Sequence, residues 1–217
     1  MLNNTFKRSK FVFALTALFT LPAMAQKWEF GAGGGASFYT NKDVVNRLGT
    51  AETGFSPGYT GTAWLGQDSF GHVGGEIRYH FAKNDLKLSA GGTKIGFSAH
   101  THTVGYNVLI HTQPKSAKVR PYVLFGGGVK IFRGTGAPRA SQPLSQFAVL
   151  TNTDQPKPYV QFGAGVKVNM GEHLYIRAEF TDQMSPFPNE VILPVQSGSL
   201  SGWIHNFLPV FGIGVAF

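Results

Sequence analysis

The chain has 217 residues, of which 19 are Lys or Arg and 11 are Asp or Glu, and its formal net charge is +8. It contains no cysteine, which excludes disulfides, thiolate metal sites and a lipoprotein anchor. Only 14% of the residues are charged and no block of like charges occurs, which argues against nucleic-acid binding. The 28 Gly and 19 Phe suit curved strands better than helices, and the length fits one domain.

The first 25 residues have the pattern of a secretory signal peptide. A positive segment (Lys7, Arg8 and Lys10) precedes an apolar stretch at 11–21 and a small-x-small site at 23–25. We expect cleavage after Ala25, so that residues 1–25 are the signal peptide and residues 26–217 the mature domain. No later run approaches the roughly 18 apolar residues of a spanning helix.

Eight later segments alternate large apolar side chains with small or polar ones, which is the period of a strand. They lie at 28–39, 58–67, 71–82, 96–112, 121–132, 159–169, 174–181 and 207–217. In the sixth segment, for example, Val160, Phe162 and Ala164 alternate with Gln161 and Gly163. Because each segment puts its large apolar residues on one face, we expect those faces to meet lipid.

The links between the segments alternate in length. Long links lie near 40–57, 83–95, 133–158 and 182–202, and short links lie near 67–71, 113–120 and 170–173. Long extracellular loops alternating with short periplasmic turns are typical of outer-membrane barrels. A soluble β-sandwich would alternate too, but it would not segregate its loops by length. We therefore predict an all-β fold: an eight-stranded, antiparallel, up-and-down transmembrane barrel with both termini periplasmic, preceded by the cleavable signal peptide.

The last strand ends in an aromatic residue. Phe211, Ile213, Val215 and Phe217 share one face, with small residues between them. With the stretch Arg177-Ala178-Glu179-Phe180-Thr181-Asp182 near the end of the penultimate strand, this ending resembles the eight-stranded outer-membrane barrels, the group of the OmpA transmembrane domain and OmpX. The resemblance implies an integral protein of the cell outer membrane whose C-terminal strand is read by the barrel-assembly machinery. OmpA-type proteins often carry a peptidoglycan-binding domain after the barrel, which we do not expect here.

The inward face of the predicted barrel carries charges of both signs. These residues are Glu29, Glu76, Arg78, Lys130, Lys167, Arg177 and Glu179. Charges inside so narrow a barrel must pair, so we predict a cross-barrel network of ion pairs centred on Glu76, Arg78, Arg177 and Glu179. The favoured interpretation is a plug. The alternative, for which the OmpA group offers a parallel, is that exchange of partners opens a narrow conduit, with water beside inward glycines such as Gly31, Gly126 and Gly165.

Other candidate sites are weaker. The glycines at 33–35 and 126–128 lack the following helix and Lys of a phosphate loop. His100 and His102 share a strand face but lack a third metal ligand. An outer-membrane lipid A deacylase of similar size to this chain uses a His-x-Ser pair, which is absent here. A triad of Ser201, His205 and Asp182 has no local motif in its favour. We therefore assign no catalytic residue, metal or cofactor.

The long loops are the second candidate site. Apolar stretches at 147–150 and 191–193 either cap the barrel, which we favour, or bind a partner. Cations in the loops could hold lipopolysaccharide phosphates; they are Lys42, Arg47, Lys83, Lys87, Lys94, Arg133 and Arg139. We expect a monomer in outer-membrane lipid, with a non-enzymatic role in envelope integrity or in surface interaction through the loops. A narrow channel for ions or small solutes is the second hypothesis, and a lipid A-modifying hydrolase is the third.

Overall fold

The computed structural model describes residues 27–68, 71–137, 141–195 and 200–217. The predicted signal peptide and Arg139 lie outside these ranges. Fourteen strands occur in them: β1 Lys27–Tyr39, β2 Lys42–Asn46, β3 Gly49–Phe55, β4 Gly58–Asp68, β5 Val73–Lys83, β6 Leu86–Ala90, β7 Thr93–Phe97, β8 Ala99–His111, β9 Val119–Gly134, β10 Ala148–Leu150, β11 Asp154–Asn169, β12 Leu174–Pro186, β13 Ile192–Pro194 and β14 Trp203–Ala216.

Eight of these strands form a closed barrel in the order β1-β14-β12-β11-β9-β8-β5-β4, and every neighbouring pair is antiparallel. Strands β1 and β14 close it, with Glu29 opposite Ala216 and Tyr39 opposite Asn206. The amide of Trp28 donates to the carbonyl of Phe217 at 3.0 Å, and the amide of Phe217 donates back at 2.9 Å. The predicted fold class is confirmed, and both ends of the barrel sequence lie at one rim.

The two faces of the barrel strands differ as the alternation predicts. The outer face is a band of exposed apolar side chains, such as Phe30 on β1, Ile77 on β5 and Phe180 on β12. The inner face buries charged and polar side chains. In the described ranges no helix is long and apolar enough to cross a membrane.

The structure differs from the sequence prediction above the barrel. Four strands continue beyond their predicted limits: β9 to Gly134, β11 from Asp154, β12 to Pro186 and β14 from Trp203. The first two long loops are not irregular, because β2, β3, β6 and β7 form a four-stranded sheet. These segments escaped prediction because their pairing lies outside the lipid band, where no alternation of apolar and polar residues is required.

The four long loops share an apolar core, which we call the loop cap. Strands β10 and β13 pair, with Val149 opposite Leu193, so the apolar stretches of the third and fourth loops pack together. All four loops and three strand ends contribute buried side chains: Val44, Ala51, Phe55, Leu86, Leu88, Ala99, Phe132, Phe147, Ala148, Leu150, Phe187, Val191, Ile192, Leu200 and Ile204. This arrangement corresponds to the capping alternative rather than to free apolar tips.

Candidate functional site in the barrel lumen

Four buried charges meet at the centre of the lumen. Glu76 and Arg78 project from β5, and Arg177 and Glu179 project from β12 on the opposite wall. Each guanidinium contacts both carboxylates. Arg177 Nη1 lies 2.8 Å from Glu76 Oε2, and its Nη2 lies 2.7 Å from Glu179 Oε2. We call these four residues the charge quartet; its formal charge is zero.

Neighbouring side chains hold the quartet in place. The Tyr122 hydroxyl donates to Glu179 at 2.7 Å and accepts from Nε of Arg177. The Asn107 side-chain amide donates to Glu76 at 3.3 Å. The Arg177 guanidinium also lies 4.9 Å from the ring centroids of both Trp64 and Tyr122, which is a favourable cation–π distance. These contacts fix the orientation of both charged pairs.

The inward glycines do not provide the predicted space for water. Trp64 packs against Gly31 and Gly212, so that a Cβ at Gly212 would lie 2.6 Å from its ring. Tyr122 packs in the same way against Gly165. The cavity beside the quartet measures about 10 Å³, which is roughly the minimum for one water molecule. Small residues on one wall therefore accommodate large rings from another, and the lumen is filled at this level.

Two further ion pairs lie below the quartet, toward the rim that carries the termini. Lys167 Nζ contacts both Glu29 oxygens, at 2.8 and 2.6 Å, and Arg120 Nη1 lies 2.7 Å from Asp68 Oδ2. Glu29, Asp68 and Arg120 line an open vestibule of about 390 Å³, together with Lys115. Sequence reasoning missed Asp68 and Arg120, although their strand parity could have found them: Asp68 shares the inward face of Trp64, and Arg120 that of Tyr122.

Lys130 differs from the other predicted lumen charges. Its side chain is fully buried on the inward face of β9, and it forms no ion pair with any carboxylate of the described ranges. Its Nζ lies 3.5 Å from the Tyr39 hydroxyl, and 5.1 and 5.8 Å from the ring centroids of Tyr39 and Phe132. The predicted set of seven thus divides into a quartet, the Glu29–Lys167 pair and a solitary Lys130.

The remaining candidates lie on the outer wall. His205 Nδ1 lies 2.7 Å from Asp182 Oδ2, but in the described part of the chain no hydrogen bond joins Ser201 to either residue. The rings of His100 and His102 lie 5.0 Å apart, and the described residues contain no group of three potential metal ligands. The structure therefore brings together two members of the suggested triad without the third.

The residues of the predicted assembly signal all point away from the lumen. Phe211, Ile213, Val215 and Phe217 are 71, 53, 42 and 65% exposed. They form a continuous apolar strip beside the closing seam between β14 and β1, at the rim that carries the termini.

Comparison with known proteins agrees with this architecture. Residues 11–187 match a family model described as outer membrane protein beta-barrel domain. Among solved structures, the outer membrane protein OprG from Pseudomonas aeruginosa is 12% identical with a TM-score of 0.58, covering 87% of this chain and 95% of that one. Neisserial surface protein A is 10% identical with a TM-score of 0.55, covering 88% and 97%.

A major outer membrane protein from Thermus thermophilus is 15% identical with a TM-score of 0.55, covering 89% of this chain and all of that one. No curated protein matches the chain. At these identities the likeness to solved structures concerns the fold.

Proposed function

Because the chain belongs to the outer membrane protein β-barrel domain family, we propose that it is a non-enzymatic integral barrel of the outer membrane that serves envelope integrity or surface interaction through its loops. One scaffold of this kind hosts unrelated functions, so the role must be argued from the loops and the lumen of this chain.

The loop cap is the observation that carries the proposal. Its core buries side chains from all four loops directly above the barrel, including Phe55, Leu150 and Ile192. A folded head of this kind presents a fixed surface to the cell exterior, whereas a channel needs an open outer mouth. The filled lumen around the charge quartet supports the same conclusion. Even an exchange of ion-pair partners within the quartet would leave the loop cap above it closed.

Lipopolysaccharide is the partner that we propose for the cap and upper barrel wall. Lys83, Lys87 and Arg133 already pair with Asp85, Glu52 and Asp154. Lys42, Arg47 and Lys94 carry no such pair in the described ranges, and Arg47 and Lys94 are exposed. These three cations are therefore the ones that we propose for contact with lipopolysaccharide phosphates.

Single-channel conductance of the refolded mature chain in a planar bilayer tests the proposal. We expect a folded barrel with no discrete current steps. Steps that change in Glu76→Gln or Arg177→Met variants would instead place the channel hypothesis first. Lipid A extracted from expressing cells should keep all of its acyl chains; a deacylated form would favour the hydrolase.

Export is the second part of the proposal. We propose that residues 1–25 are removed as a signal peptide and that the barrel-assembly machinery then inserts the domain. Intact-mass measurement of the protein purified from outer membranes should give a chain that begins at Gln26. A retained N-terminus would contradict the cleavage.

A further inference from the structure

Lys130 is a buried lysine that forms no ion pair within the described ranges. Its side chain has no exposed surface, and its hydrogen-bond partner, the Tyr39 hydroxyl, lies at the long distance of 3.5 Å. Burying an ion without a counter-charge is costly. Something other than the contacts described so far must compensate this charge, or the amine must be neutral.

The carboxylates of the lumen are engaged elsewhere. Glu76 and Glu179 are neutralised within the charge quartet, and Glu29 binds Lys167. Asp182 belongs to the outer face of β12 and binds His205. None of them forms an ion pair with Lys130.

The strand register places Lys130 in a row of inward side chains. Thr103 on β8 lies directly opposite Lys130, and His80 on β5 lies directly opposite Thr103. The rings of Tyr39 and of Phe132, which belongs to the loop cap, lie 5.1 and 5.8 Å from Lys130 Nζ. Tyr159 reaches the same section from β11, because its hydroxyl packs against Gly105, two residues from Thr103.

This section of the lumen, between the quartet and the cap, is rich in unused hydrogen-bond donors. Among contacts of the described residues, six residues have buried polar atoms that can donate and that lack a partner: His80, Tyr159, Gln161, Thr181, Ser185 and, in the quartet below, Arg78. Gln183, which binds Gln161 at 2.8 Å, adds an unused carbonyl oxygen. The Gln161 amide nitrogen and Arg78 Nε can only donate, whereas the hydroxyls and His80 can donate as well as accept, so unpartnered donors are available to an anion beside Lys130.

We propose that this section of the lumen binds one small monovalent anion, a halide or an ion of similar size, held by Lys130 together with hydroxyl and amide donors of the surrounding strands. The bound anion compensates the Lys130 charge and stabilises the closed barrel beneath its cap. This site is separate from the surface role proposed above, and either can fail without the other.

Bromide is the probe for the first test, because its anomalous scattering identifies it. Crystals of the folded full barrel grown or soaked in sodium bromide should show an anomalous peak within hydrogen-bonding distance of Lys130 Nζ. A well-phased map with no peak there would overturn the proposal, since the lysine would then be buried as a neutral amine.

Unfolding measurements provide the second test. At constant ionic strength, with bromide replacing gluconate, the unfolding equilibrium constant of the unmodified protein should fall by a factor of one plus the ratio of the bromide concentration to its Kd. Lys130→Met should abolish this dependence. Lys118→Met is the control, because Lys118 is exposed and directly precedes β9 at the opposite end of the barrel from the site; it should keep the dependence. A flat response of the unmodified protein, or a response retained in Lys130→Met, would contradict the assignment.

Discussion

At the scale of single residues, the charge quartet is stable because its charges balance as a set. Each of its two arginines contacts both glutamates, and all four side chains are buried. Removal of one member leaves a net charge in a place that water does not reach, whereas removal of one acid and one base leaves a neutral pair. The energetic cost of a substitution therefore depends on which partner remains.

Glu179→Ala should lower the free energy of unfolding by about 3–5 kcal/mol, because it leaves a buried positive charge uncompensated. The double variant Glu179→Ala/Arg177→Ala keeps the Glu76–Arg78 pair, and it should cost less than the sum of the two single changes by about 0.5–3 kcal/mol. Urea unfolding in lipid vesicles measures all three values.

Glu172→Ala, in an exposed periplasmic turn, is the control for this cycle and should change stability by less than about 0.5 kcal/mol. Strictly additive costs for Arg177 and Glu179 would show that the two residues are not coupled.

At the scale of strands, alternation separates a lipid-facing surface from a polar lumen. Strand β11 has 16 residues, more than the roughly 9–11 that a tilted strand needs to cross lipid, so its upper part stands above the membrane. Ala164 faces outward near the middle of the lower, membrane-crossing part, between Val123 on β9 and Phe180 on β12.

Ala164→Arg should therefore destabilise the barrel by about 2–4 kcal/mol, because it places a cation near the bilayer midplane. Val168→Arg, on the same face near the periplasmic interface, should cost only about 0–1 kcal/mol. Unfolding in vesicles compares the two variants. Equal costs would contradict the depth that we assign to these positions.

The terminal strand makes a separate prediction about assembly. The Phe217 backbone closes the barrel against Trp28, but its side chain is 65% exposed and contributes little to packing. Phe217→Ala should consequently reduce the amount of folded barrel in outer membranes while leaving refolding of the purified chain intact.

Heat-modifiable migration on gels measures both quantities for Phe217→Ala. Phe162→Ala, at 53% exposure on β11, should assemble normally and serves as the control. Equal amounts of the two variants in the membrane would refute a special role for the terminal aromatic.

At the scale of the whole molecule, two differently built regions are stacked. The membrane-embedded barrel has an apolar exterior and a polar, ion-paired interior, whereas the loop cap has an ordinary apolar core. Each region buries what its surroundings disfavour, since lipid surrounds the first and water the second. Regions with separate cores can open separately.

Leu150→Ala should remove about 2–5 kcal/mol from the cap, because Leu150 is only 2% exposed. We expect trypsin to cleave the extracellular loops of this variant faster while the barrel remains folded. Leu193→Ala on the neighbouring strand β13 is the control, since Leu193 is 47% exposed. Unchanged cleavage, or loss of barrel and loops together, would argue against an independent cap.

The fold class, the inward and outward faces of the strands and the family could be predicted from the residues alone, because a membrane imposes a period-two pattern on every spanning strand. All three are confirmed. The same alternation predicted the four residues of the quartet, since charges on opposing inward faces have few possible partners. The role of these residues in the function stays a prediction.

The pairing of β1 with β14, by which the chain closes on itself, is visible only in three dimensions. The structure also places Trp64 and Tyr122 beside glycines, joins Asp68 to Arg120 and, among the residues that it describes, pairs Lys130 with no carboxylate. It also shows that the predicted loops form the loop cap and are partly β-structured. Each of these features depends on contacts between strands or loops distant in sequence, whose register and depth no local pattern specifies.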